Sequence, residues 1–166
     1  MLLTIAAAAA VVAALVEYSV ASYLRVGAAV PHPVLVLGVI WTIAGGFEGG
    51  LTWAFVGGLA LDILAQRPLG SSAFALLIAL ALAALVGGLF ARVRIVAPIV
   101  ATAIASVVYT MLLVVAISAL SAATLAGVTL DGILASALYD TILAALIGPL
   151  VIAIVVRRRD VERPER

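Results

Sequence analysis

Six apolar runs, separated by gaps too short to hold a folded domain, leave this chain few ways to fold. They cover about 2–24, 33–44, 46–65, 70–91, 95–120 and 131–156. Of 166 residues, 67% are hydrophobic and only 10% charged, against about 45–50% apolar and about 25% charged in a soluble domain. A chain of this length cannot hide so much apolar surface from water. The runs are long and do not alternate, so the expected class is an all-α integral membrane protein with six transmembrane helices rather than a barrel. The second run is short of the roughly 20 residues that cross a bilayer. It is therefore tilted, continued through the Gly45-Gly46 hinge, or does not cross fully. The first run lacks the basic stretch that opens a signal peptide and is read as a helix of the mature protein. The organisation expected is a single helical transmembrane domain over 1–156 and a short charged tail over 157–166.

Charge placement gives an orientation. All nine cations are Arg. With the N-terminus inside, Arg92, Arg94, Arg157, Arg158, Arg159, Arg163 and Arg166 fall on the cytoplasmic side, and only Arg25 and Arg67 on the outer side. The asymmetry predicts that both termini are cytoplasmic, with the Arg-rich tail as a stop-transfer anchor on the anionic leaflet. Enzymatic signatures are missing: no Cys, no His-rich cluster, no Gly-rich loop followed by Lys. No cofactor or metal site is expected, since His32 alone cannot hold a metal, and His32 is read as a loop residue. No basic, aromatic face suggests nucleic acid.

Two features remain. Gly46, Gly50, Ala54 and Gly58 recur every four residues and lead to Asp62. On a helix this spacing makes a groove of small residues against which another helix can pack closely, within the protein or on a partner. The second feature is a set of intramembrane acids. Glu17, Asp62 and Asp140 all fall in the outer half under this topology, and a buried charge in a bilayer costs at least about 2.5–3.5 kcal/mol. Together with Tyr109 they could line a polar cavity. The competing reading satisfies them locally, Asp62 through Arg67 or loop backbone as a structural latch, and Glu17 through Arg25. The local reading is preferred for Glu17. Asp140 has no nearby cation in sequence, and both readings stay open for it, with Tyr109, Thr110 and Tyr139 as candidate hydrogen-bond partners. Asp131 reads as an N-terminal cap or first-turn acid of the last helix, and Pro149 as a kink in it.

The order of motifs carries a resemblance. Pro33-Val34-Leu35-Val36-Leu37, then Trp41, Gly49, Gly57-Gly58-Leu59, Asp62, and Pro68-Leu69-Gly70 with Ala73-Phe74-Ala75-Leu76 resembles the MreD family of rod shape-determining proteins. The chain departs from the family in having Ala60-Leu61-Asp62 and in lacking basic residues around 45–48. The resemblance implies a non-enzymatic membrane scaffold of the bacterial cell-wall elongation complex, in the inner membrane. Its direct partner would be MreC, with MreB, RodA and a penicillin-binding transpeptidase in the larger assembly and membrane lipid around it. It also implies a fold resembling the S component of energy-coupling-factor transporters. That gives a second reading, a substrate-binding subunit of a vitamin-type transporter, which the very short outer loops disfavour.

Overall fold

The structure is a computed structural model. It describes residues 2–20, 23–24, 27, 29–90, 96–121 and 129–162, with side chains as far as 151. Arg25, Arg92, Arg94, Arg163 and Arg166 lie outside the described residues, as do the side chains of Arg157, Arg158 and Arg159.

Six α-helices follow one another: α1 (Leu2–Val20), α2 (Pro33–Gly45), α3 (Phe47–Leu64), α4 (Ser71–Leu89), α5 (Val96–Ser121) and α6 (Leu130–Glu162). Five are long and apolar enough to cross a membrane, and α2 is not. Their breaks have local causes. Prolines start α2, where Pro33 occupies the first turn and its missing N–H is no loss. Gly46 ends α2 and opens α3 with φ of 96°, a conformation open to glycine and strained for other residues, so the Gly45-Gly46 hinge narrows to a single residue. Gly70, at φ of 93°, plays the same part before α4. The last helix runs to Glu162, six residues past its expected end, and stays helical through Pro149.

The short second helix is short because it is the centre. It packs against all five others, while around it α1 touches α3, α3 touches α4, α4 touches α5 and α5 touches α6. Among the described residues α1 and α6 make no direct contact, so at the seam between them the wall is held through α2. Helix α2 has no exposed position along its length. A helix buried in protein need not be long enough to cross lipid, and its backbone is shielded by neighbours at membrane depth. That removes the difficulty posed by its length.

Close packing rests on small residues. Ala10, Ala13, Ala14, Ala54, Ala75, Ala79, Ala83, Ala101 and Ala105 are buried in one cluster with Leu35, Val39, Trp53, Leu76, Leu80 and Tyr109. Trp53 donates from Nε1 to the Val34 carbonyl at 2.9 Å and stacks on Trp41 with ring centroids 5.7 Å apart. The large apolar side chains left exposed, such as Leu85, Leu89, Leu138 and Leu146, face outward, as lipid-facing positions of a bundle do.

Candidate functional site

The polar interior is built around the start of α2, in the sequence Val30-Pro31-His32-Pro33-Val34. The alternation matters. Proline has no N–H, so only Val30, His32 and Val34 carry backbone donors here. Each is met by a side chain from another helix. Val30 N–H donates to Ser136 Oγ (2.9 Å), His32 N–H to Asp140 Oδ1 (2.8 Å) and Val34 N–H to Glu17 Oε2 (2.8 Å). A helix starting inside a membrane protein exposes unpaired N–H groups that no water can satisfy. Within residues 30–34 the two prolines remove two donors, and side chains of α6 and α1 accept the other three.

Asp140 collects two further bonds. Its Oδ2 accepts from Ser106 Oγ at 2.6 Å and lies 2.9 Å from His32 Nδ1. Opposite a carboxylate that accepts, the ring nitrogen at Nδ1 is the donor, one of the two roles this contact allows. Asp140 has no exposed surface, and it sits ten residues into α6, about 15 Å along the helix. This answers the question left open in the sequence: its partners are His32 and Ser106. Thr110 turns back to its own helix, donating to the Ser106 carbonyl at 2.9 Å. Tyr109 packs its ring edge-on against His32 at 5.4 Å, with its buried hydroxyl lacking a hydrogen-bond partner. His32 lies in the connection before α2, as expected of a loop residue, and what the sequence did not show is that it is the meeting point of the cluster.

Asp62 acts on the next helix. It is fully buried at the end of α3 and accepts from Gly70 N–H (2.8 Å), Ser72 N–H (2.9 Å) and Ser71 Oγ (3.0 Å). It thereby caps α4, whose own preceding residue, Gly70, has no side chain to do so. Arg67 is not the carboxylate's partner. Its backbone N–H donates to the Asp62 carbonyl at 2.9 Å, and its Nη1 reaches Ser72 Oγ at 3.4 Å. Of the two local options for Asp62, the structure uses backbone. Glu17 is likewise buried and bonded to α2, while Arg25 lies outside the described residues. At the start of α6, Thr129 Oγ1 accepts from Gly132 N–H at 3.2 Å, so the capping side chain is Thr129, with Asp131 in the first turn.

The small-residue stripe divides between neighbours. Gly46 is the hinge and lies outside the helix. A Cβ on Gly50 would collide with Thr42 of α2, and one on Gly58 with the backbone of Ala73 in α4. Ala54 is fully buried between them. Gly57, adjacent to the stripe, faces Val34 and Ala10, where a Cβ would come within 3.1 Å of Val34. The spacing of four found the stripe. It missed Gly57, which serves α1 and α2 from a second face, and it missed Ser72, Ser106 and Ser136, single hydroxyls with no local signal. The Pro-His-Pro alternation was the available clue to His32.

A prediction follows from the alternation. Pro31→Ala adds a backbone N–H at a fully buried position. Leaving it unpaired costs about 1–3 kcal/mol, so the purified protein should melt at a lower temperature. The same change in an exposed loop normally stays within about 0.5 kcal/mol.

The buried acids are fully engaged by internal donors, and comparison with known proteins gives the chain's family. A family model described as rod shape-determining protein MreD matches residues 1–157. The chain belongs to the MreD family. No curated protein and no solved structure matches it. The family is one of structural, shape-determining membrane proteins, and every residue of the polar cluster falls within the matched span of this MreD-family chain.

Proposed function

We propose that the protein is a non-enzymatic scaffold subunit of the cell-wall elongation complex that binds and stabilises MreC in the bacterial inner membrane, with both termini and the 157–166 tail in the cytoplasm. MreB, RodA and a penicillin-binding transpeptidase complete the assembly. The observation that carries this reading is the family match over nearly the whole chain. The buried acids support it, because Asp62 and Asp140 are each occupied by three internal donors. Groups so engaged serve the fold. Co-expression with the MreC of the same genome, followed by purification in detergent, should yield a complex; separate elution at micromolar concentrations would count heavily against it.

One observation favours the second reading, a substrate-binding subunit with an arrangement similar to an S component. The Tyr109 hydroxyl is buried without a hydrogen-bond partner among the described residues, on the side where Ser72 lies, as a group awaiting a ligand would be. Native mass spectrometry discriminates the two: a small molecule lost on Tyr109→Phe supports the transporter reading, and a ligand-free protein supports the scaffold.

A further inference from the structure

Helix α6 is attached differently from the rest. The main buried cluster draws its residues from α1 to α5 and takes none from α6. Against α2, α6 contributes only a small separate cluster, in which Ala144, Leu143 and Val151 meet Val36 and Ile40. Its other tie to α2 is polar and lies earlier along α6: Ser136 to Val30, and Asp140 to both the backbone and the ring of His32. On the opposite flank Glu17 holds Val34 to α1. Since α1 and α6 do not touch among the described residues, residues 30–34 are the bridge across the seam.

We propose that this bridge is a latch. With the His32–Asp140 contacts made, the first half of α6 is held against the central helix and the seam stays closed. With them broken, that half swings away about the Val36–Ile40–Ala144 cluster and opens the seam, exposing the flank of α2. The physical asymmetry favours this. Apolar side chains inside a membrane gain little from contact with each other over contact with lipid, so association there depends on packing and on hydrogen bonds. Asp140 supplies three of these bonds, two to His32 and one to Ser106 of α5, and its loss leaves Ser136 as the remaining polar tie between α6 and the start of α2. Helix α5 flanks the pivot from the other side, where Gly148 lies against Pro98, so the motion is a tilt with α6 still seated on α5. The charged groups acting on His32 are Asp140 from α6, Glu17 from α1 and Arg67 from the α3–α4 turn, and the Tyr109 ring of α5 packs on it. The device is independent of which partner the protein binds.

The chain has no cysteine, so paired spin labels can be placed without background. Tyr18 and Leu138 are exposed positions on α1 and α6, the two helices that border the seam, and Ile63 on α3 is an exposed reference. Labels at 18 and 138 should give one narrow distance distribution in the otherwise native protein in lipid nanodiscs. In Asp140→Ala that distribution should become longer and broader, while the 18–63 pair stays narrow. His32→Ala, which keeps the backbone bond to Asp140 and removes the ring, should shift the same pair less, and it decides the matter if Asp140→Ala does not fold. An unchanged 18–138 distribution overturns the latch. So does equal broadening of both pairs, which would make the contact a general support of the fold.

Discussion

Gly58→Ala is expected to prevent stable folding, whereas Gly88→Ala leaves stability unchanged or slightly raised. Both residues lie in apolar helices of similar composition. At Gly58 the new methyl would overlap the Cα and N of Ala73, where α3 crosses the first turn of α4. Backbone cannot rotate away as a side chain can. Overpacking usually costs about 1–3 kcal/mol and more where nothing yields, and here the collision also disturbs the turn that Asp62 caps. At Gly88 nothing lies within 4 Å, and alanine is the better helix former by roughly 0.5–1 kcal/mol. Both tryptophans sit in the α2–α3 contact, so their fluorescence during heating in detergent reads the comparison directly. Equal melting temperatures for the two variants would show that α3 and α4 do not meet at Gly58.

Asp62→Ala should be nearly as damaging. It leaves two backbone N–H groups and the Ser71 hydroxyl without their acceptor, the bonds to Ser71 and Ser72 being buried and the one to Gly70 part-buried. An orphaned buried donor costs about 1–3 kcal/mol; three neighbouring ones are not additive, and a loss of about 3 kcal/mol or more is expected. Asp62→Asn keeps one carbonyl acceptor and should fall between alanine and the native residue. Arg67→Ala discriminates the roles. If the carboxylate chiefly answered the guanidinium, Arg67→Ala would match Asp62→Ala. With backbone as the partner, Arg67→Ala should cost well under half as much, through loss of the long contact to Ser72. Melting curves of the three variants rank them.

Much of the framework is legible in the chain because it is locally encoded. Helix positions follow from runs of apolar residues, and the breaks from Gly46, Gly70 and the prolines before α2. The end of α6 was misplaced because charge was taken to end it. Arg157 to Glu162 continue the helix, since arginine and glutamate are good helix formers once outside lipid. The stripe from Gly50 to Gly58 was visible as a surface for close packing; that α2 and α4 occupy it was not. The acids were visible as a problem, and Asp62 was already offered backbone as an answer. For Asp140 the sequence offered Tyr139, Tyr109 and Thr110 as partners. The donors that meet it come instead from Ser106 and from His32.

The sequence by itself therefore determined that this is a helical membrane protein of the MreD family, where its helices begin, and which buried charges need partners. Those properties depend on residue type and spacing over a few turns. Only the tertiary structure decided that the shortest helix is the central one, that α6 stands outside the main core, and that the acids answer backbone donors. The reason is distance along the chain. The bonds from Ser136 and Asp140 to the start of α2 join residues separated by 106 and 108 positions. No local pattern encodes a meeting of that kind, which exists only once the helices have packed around α2.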